Sequence, residues 1–345
     1  MDLALSEEQQ QLITAFAGLF GRGSFPDQVR AAEPAGFDAA LWHDLTETGV
    51  LSMAVPERQR GWGASMLDLG LVAEQAGRWL APAPVIECQA AARLLAHVGS
   101  AVALETLTAA IAGTRLVSLS LHPARGGVAA LVPAGTVCDA LVVLDEDRLL
   151  LVPTPDERRR AVVNLGSAPL ADIDIDIADG AELASGAAAT EAFESVLDEW
   201  LVLTASALVG IGAAALENVC RYAAERRAFG GVIGGYQGVA HPLAEDATRL
   251  DGARLLAQKA AWALDTRDPR RRELAALAFA FASATADRVT YQAIHFHGGY
   301  GFMLEHDVQL FYRRARGWAR IWGSADDAYR RAASARYSAA HLRCA

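Results

Sequence analysis

Two long helical patterns, parted by a glycine-rich break, dominate the second half of this chain. Leu201 to Arg226 is an almost uninterrupted apolar helix sequence, and Gln237 to Asp265 is helical again. Between them runs Glu225-Arg226-Arg227-Ala228-Phe229-Gly230-Gly231-Val232-Ile233-Gly234-Gly235-Tyr236-Gln237. Its four glycines end the helix because glycine suits turns and loses the most entropy in a helix. Arg226 and Arg227 fall in the last turn before the break, where cations suit a helix C-terminus. By itself the segment reads as a charged helix end followed by a helix–helix loop. With two further helical stretches, near 271–294 and 325–341, and the first extended back to about 190, the pattern predicts an antiparallel four-helix bundle.

The rest of the chain divides by pattern. Residues 1–100 read as helices: Ser6 with Gln9 three residues on resembles a capping box, and Phe37 to Glu47 contains a second helix ended by Gly49. The stretch Val55 to Gly63 reads as a structural turn. Residues 115–183 are short β-rich runs with turn residues between them. Asp145-Glu146-Asp147-Arg148 sits between two apolar runs and predicts a hairpin. Asp172 to Ile177 alternates strictly, as a half-exposed strand should, with a solvated acid face. The order helix, strand, helix argues for an α+β fold with segregated layers. The expected division is an N-terminal helical domain (1–112), a small middle β domain (113–186) and a C-terminal four-helix bundle (187–345).

Composition narrows the functions open to such a fold. The 345 residues are 52% hydrophobic with a net charge of −10, which argues against a disordered chain and against a nucleic-acid or membrane-surface binder. The most apolar run, Leu201 to Ala215, is shorter than a membrane span. Acidic residues near the start, where a signal peptide has basic ones, predict a cytoplasmic protein. Cys88, Cys138, Cys220 and Cys344 are scattered without metal-ligand spacing, so free or buried thiols are expected.

A second conspicuous segment is Ile294-His295-Phe296-His297-Gly298-Gly299-Tyr300-Gly301-Phe302, followed by Glu305-His306-Asp307. Adjacent glycines let backbone approach a ligand closely and expose N–H groups to an anion. His295 and His297 do not share a helix face, and no matching acid or cysteine spacing supports zinc, so no metal is expected.

These two segments carry a resemblance. "ERRAFGGVIGGYQGVAHPLAE" and "IHFHGGYGF…EHD…FYRRA" resemble the corresponding motifs of the acyl-CoA dehydrogenase family, and "VPERQRGWG" resembles a loop of its N-terminal helical domain. The resemblance extends over nearly the whole chain. It implies the three-part fold above, FAD bound between β domain and bundle, and a neighbouring subunit completing each site. In relatives, the arginine matching Arg226 clamps the FAD pyrophosphate, a bidentate role that suits guanidinium. The aromatic matching Phe229 packs on the cofactor, and the segment matching His295 to Gly299 touches its adenine–ribose end. Arg226, Phe229, Gln237, His295, Gly298 and Gly299 are thus the implied cofactor-binding residues, with His295 standing where relatives have Gln.

The chain also departs from the family pattern. The loops that hold the flavin ring and acyl thioester in relatives have no counterpart between Leu116 and Asp147; Ser118, Ser120 and His122 are the polar residues there. Most members take the substrate's α proton with a Glu near the end of the bundle, where this chain has Trp322. Some place it early in the first bundle helix, where this chain has Trp200, with Glu199 beside it. An indole cannot accept a proton. Glu199 and Asp326 are the remaining candidates, and the catalytic base is left unassigned.

Three readings follow from the resemblance. The first is a subunit that completes a partner's FAD site for α,β-desaturation of an acyl-CoA, as in bacterial heteromers, some acting on steroid side chains, that pair a full subunit with a shorter degenerate one. The second is a self-sufficient homodimeric enzyme with a displaced base. The third is a fold member recruited to a non-dehydrogenase role. The first two imply electron-transfer flavoprotein as electron acceptor.

Overall fold

A serine followed three residues later by glutamine closes the first helix end. The Ser6 hydroxyl accepts the Gln9 N–H at 3.2 Å, and the Gln9 carboxamide accepts the Ser6 N–H at 3.1 Å, opening α1 (Glu7–Phe20). The computed structural model describes residues 4–22 and 26–337. After α2 (Asp27–Ala32), the Asp38 carboxylate accepts the Ala40 and Leu41 N–H groups and starts α3 (Ala39–Glu47). Gly49, at φ +82°, turns the chain into the short α4 (Val50–Met53). Then follow α5 (Met66–Arg78), α6 (Val85–Val98) and α7 (Ala101–Ile111).

The middle segment forms β1 (Val117–Leu119), β2 (Val128–Val132), β3 (Ala140–Asp145), β4 (Arg148–Pro153), β5 (Arg159–Ala161), β6 (Ala171–Asp174) and β7 (Ala181–Ser185). One sheet runs β1-β3-β4-β7, with β1 parallel to β3 and the other pairs antiparallel; the second runs β2-β6-β5. The expected hairpin is present, with Asp145 opposite Arg148. All six residues of β3 are buried, which explains its continuous apolar run. The expected strand through Ile177 stops at Asp174. The Asp176 side chain accepts the Ala178 N–H and caps a 3₁₀ turn at Ile177–Asp179, a local bond that competes with the ladder. The acid row is answered by arginines: Arg160 bonds Asp174, and Arg158 bonds Asp179 at 2.7 Å.

The last part contains α8 (Gly186–Glu225), the tiny strands β8 (Arg227–Ala228) and β9 (Gly231–Val232), α9 (Gln237–Asp265), α10 (Arg271–His297), α11 (Val308–Ala319) and α12 (Ala325–Tyr337). The predicted bundle helices correspond to α8, α9, α10 and α12, and α11 is an addition; residues 338–341 and Cys344 lie outside the described residues. Cys88 and Cys138 are buried thiols and Cys220 is exposed.

The chain divides into two compact units. The sheet-bearing unit comprises Val29–Leu69 and Pro82–Trp200; the helical unit comprises Met1–Gln28, Gly70–Ala81 and Leu201–Ala345. In the sheet-bearing unit β1 packs on α6 and β7 on α7, so the strands share a unit with the helices before them. In the helical unit α10 packs against α9, α11 and α12. Its alanines, Ala275, Ala276, Ala278, Ala280 and Ala282, are all buried.

Helix α8 alone among the described helices is long and apolar enough to cross a membrane, because the apolar run continues into a 40-residue helix; 78% of its most apolar window is buried inside the protein. Part of that cover is α5, and the two helices approach at glycines. A Cβ on Gly77 would lie 1.9 Å from the Ala207 carbonyl oxygen, and one on Gly210 would lie 1.9 Å from that of Glu74. Arg254 holds Glu74 at 3.1 Å alongside this crossing. Gly210→Ala or Gly77→Ala forces the backbones apart, so each is expected to cost about 3 kcal/mol of unfolding free energy, read from urea denaturation midpoints. Gly18→Ala, where a Cβ meets nothing, is the control.

Candidate functional site

The end of α8 hands the chain directly to the glycine-rich segment. The Arg226 N–H still bonds the Tyr222 carbonyl at 2.8 Å, and the Arg226 carbonyl accepts the Ile233 N–H at 2.8 Å, tying the segment back to the helix end. Between these bonds the chain makes a two-residue hairpin, with Ala228 opposite Gly231. Phe229 and Gly230 occupy its tip at φ +54° and +90°. The Phe229 side chain is 98% exposed. Arg226, Arg227 and Gln237, the first residue of α9, are exposed around it.

The end of α10 supplies the second part. His297 is buried; its Nδ1 lies 2.6 Å from the Ala293 carbonyl, which can only accept, so Nδ1 carries the proton. Burial holds this imidazole below its ordinary pKa. Its ring stacks on Tyr222 with centroids 4.3 Å apart and 24° between planes. That stack joins the last turn of α8 to the last turn of α10, so the Arg226–Phe229 hairpin and the Gly298–Gly299 turn lie at one end of the bundle. His306 meets the His297 ring edge-on at 4.6 Å, and Tyr300 meets His306 at 4.7 Å.

Gly298 adopts φ +67°, ψ −152°, a conformation open to glycine alone, and neither it nor Gly299 has any atom within 4 Å of a hypothetical Cβ. Their backbone is therefore free to meet a ligand. His295 is exposed and parallel to Tyr291 at 6.3 Å, so the two histidines of the segment divide into one outward and one inward. All six residues expected at the cofactor belong to the helical unit and are exposed. An outward guanidinium, an outward aromatic ring and open glycine backbone fit an anionic cofactor with planar rings. Tyr222 went unnoticed in the sequence; its only signal is an aromatic residue one helical turn before Arg226.

The candidates for proton abstraction are placed differently. Trp322 lies between α11 and α12 and packs edge-on against Phe279, 5.6 Å between centroids. Asp326 is exposed in the first turn of α12, and its neighbour Asp327 caps that helix by accepting the Ser324 N–H and hydroxyl. Glu199 lies in a fork, its two oxygens 2.9 and 3.1 Å from Arg93 Nε and Nη2. Trp200 is 1% exposed, and its indole lies near Glu87, a residue the sequence did not single out. Glu87 lies deep in the sheet-bearing unit although part of its surface stays accessible. Burial pushes its carboxyl above the ordinary value near 4.5, against the opposing pull of its own N–H and of Trp200. Ser118 and Ser120 are buried and spend their hydroxyl protons on the Pro133 and His122 carbonyls. Among the described residues, no three His, Cys, Asp or Glu side chains gather as metal ligands.

Comparison with known proteins places this geometry. Residues 6–113 match the model of the acyl-CoA dehydrogenase N-terminal domain, and residues 190–337 that of its C-terminal domain. The acyl-CoA dehydrogenase IpdE2 of Mycolicibacterium smegmatis is 29% identical over 339 residues, covering 95% of this chain and 98% of the relative. Benzylmalonyl-CoA dehydrogenase of Aromatoleum aromaticum is 26% identical over 356 residues, covering 92% and 94%. Among solved structures, a chain of the ChsE4–ChsE5 complex from Mycobacterium tuberculosis superposes with a TM-score of 0.85 at 25% identity, covering 96% of this chain and 97% of that one. With both terminal domain models matched and full-length relatives of one kind, the chain belongs to the acyl-CoA dehydrogenase family, whose cofactor is FAD.

Proposed function

We propose that this chain is a subunit that completes the FAD site of a partner acyl-CoA dehydrogenase subunit, for α,β-desaturation of an acyl-CoA. One contrast carries the reading. Phe229, Arg226 and the open glycine backbone face outward at one end of the bundle, whereas both positions where the family resemblance puts a proton-accepting glutamate hold indoles. A side chain that is 98% exposed does nothing for its own subunit's core. Tyr291, Tyr300, Phe302, Met303 and Leu304, all about half exposed or more, extend the apolar surface along the same segment, as an interface requires. The ChsE4–ChsE5 complex is named for two different chains, which supports a mixed assembly. In it Arg226 would clamp the cofactor pyrophosphate, Phe229 would pack on the cofactor, and Gln237, His295, Gly298 and Gly299 would meet its remaining polar parts. The bound flavin supplies the hydride acceptor; this chain's residues hold and orient it. Electron-transfer flavoprotein is the expected electron acceptor and the cytoplasm the expected compartment.

A second reading, a self-sufficient homodimer, is favoured by one observation. Glu87 is a deeply placed carboxyl, raised by burial, close to the indole that stands at the alternative base position. General bases are tuned upward in this way.

The deciding measurement is the flavin absorption and native mass of the purified chain, alone and co-expressed with an adjacent acyl-CoA dehydrogenase gene product. The expected result is a colourless lone chain and a yellow mixed complex with about one flavin per two chains. Stoichiometric flavin in the lone homodimer overturns the first reading. In the flavin-bearing assembly, Arg226→Ala is expected to weaken flavin retention by about tenfold or more, the worth of a charge-assisted bond.

Glu87→Gln tests the second reading and the burial argument together. A carboxyl raised in the folded state makes the protein lose stability as pH climbs from the ordinary value near 4.5 through the raised one. Glutamine does not titrate. The variant is therefore expected to match the native chain in unfolding midpoint at about pH 4 and exceed it at about pH 8. If the second reading holds, the same change abolishes desaturation.

A further inference from the structure

The hairpin tip is built from a residue that does not suit it. Both residues between the paired Ala228 and Gly231 have positive φ, +54° at Phe229 and +90° at Gly230, the signature of a type I′ turn. Such turns take Asn, Asp or Gly at the first position, because a Cβ there crowds the backbone. A phenylalanine is strained in that place, and with 98% of its surface exposed it recovers nothing by packing on its own chain.

One side chain holds the turn in this conformation. The Tyr236 hydroxyl lies 2.8 Å from the Phe229 carbonyl oxygen and 3.0 Å from that of Ala228, so its one proton is shared between the two peptide groups that flank Phe229. Tyr236 is itself fixed as the residue that opens α9, with its N–H bonded to the Ile233 carbonyl at 3.1 Å. The tip is thereby tied to a long helix seven residues further on. Gly231 keeps the path open: a Cβ there would lie 3.2 Å from the Tyr236 hydroxyl oxygen and crowd it off the carbonyls.

We propose that Tyr236 is a positioning residue, a latch whose hydroxyl holds the strained turn and so presents Phe229 rigidly to the cofactor that the assembly carries. The inference rests on the donor-site reading given above and adds the residue that makes the donor competent. Presentation matters because a ring on a loose turn must be ordered at the moment of contact, and that ordering subtracts from the contact. Tyr236→Phe removes the latch and leaves the ring, the helix start and the turn sequence intact.

The test pairs a readout on the lone full-length chain with one on the flavin-bearing assembly, whether mixed or homodimeric. In the lone chain, amide hydrogen exchange at Gly230, Gly231 and Val232 is expected to quicken several-fold in Tyr236→Phe, with the thermal midpoint of the whole chain little changed. In the assembly, flavin release, followed by the rise in free-flavin fluorescence, is expected to speed up by about two- to twelvefold, the net worth of one hydrogen bond. Gly231→Ala reaches the same latch from the other side and is expected to shift both readouts the same way. In a Phe229→Ala background, Tyr236→Phe adds nothing to flavin release, because the latch acts only through the ring. If Tyr236→Phe loosens the turn while flavin release stays at the native rate, and Phe229→Ala alone speeds it, the latch is overturned and the donor reading stands. If Phe229→Ala itself leaves flavin release unchanged, the donor reading falls and the latch with it.

Discussion

The candidate site hangs from the place where α8 stops. Trp200, Leu201, Val202, Leu203, Leu208, Ile211 and Val219 are each 1% exposed or less. Burying each large apolar side chain is worth about 1.5–3 kcal/mol, so the rotation of the helix is fixed many times over. A slip of one residue would turn the helix by about 100° and bring its polar positions into the core. The glycine contact with α5 leaves no slack in that packing, since the Gly77 and Gly210 positions already touch opposing carbonyls. A helix held so firmly delivers Tyr222, Arg226 and the hairpin to one fixed place. The stacking of Tyr222 on His297 then locates the Gly298–Gly299 turn beside them.

What the sequence revealed and what it hid follow from the range of the interactions. The Ser6–Gln9 cap, the Asp145–Arg148 hairpin and the helix break at Gly230–Gly231 were readable because each is settled within a few residues. The end of β6 was missed for a related reason: an Asp176 side chain bonding two residues ahead outcompetes a strand that alternation alone would continue. Tyr222 and Glu87 were invisible because their significance is non-local. Tyr222 acts through a ring 75 positions later, and Glu87 lies 113 positions before the indole near it. No periodicity marks either. The six proposed cofactor residues were read from family wording, and in the structure all of them are exposed on the same unit.

Under the proposed reading, both positions where the family resemblance puts a proton-accepting glutamate hold indoles. An indole offers one donor and no acceptor, so neither Trp322 nor Trp200 can do the work of a glutamate. Glu199 is next to the second of these positions, but Arg93 reaches both of its oxygens. Each charge-assisted bond contributes about 1.5–3 kcal/mol, and a base would have to give up at least one of them to turn toward a substrate. Asp326 is exposed at a helix start, where water competes for its protons. Burial raises the Glu87 carboxyl, yet it also sits in the first turn of α6, where its own N–H and the helix dipole favour its charge. Capping thus explains part of its placement without any catalysis.

The hairpin shows the opposite economy. Holding a side-chain-bearing residue in the left-handed region costs about 1–2 kcal/mol, and a net hydrogen bond returns about 0.5–1.5 kcal/mol. The Tyr236 hydroxyl and the Phe229 strain are therefore of the same size and nearly cancel. A chain that needed only a turn would avoid both with Asn-Gly and no tyrosine. Keeping a phenylalanine at the tip, 98% in solvent, and holding it there with a second aromatic residue makes sense when the ring has a destination outside its own subunit. The proposed function joins the two observations: the candidates for abstracting a proton are tied down or solvent-exposed, while the groups proposed to grip a cofactor face out.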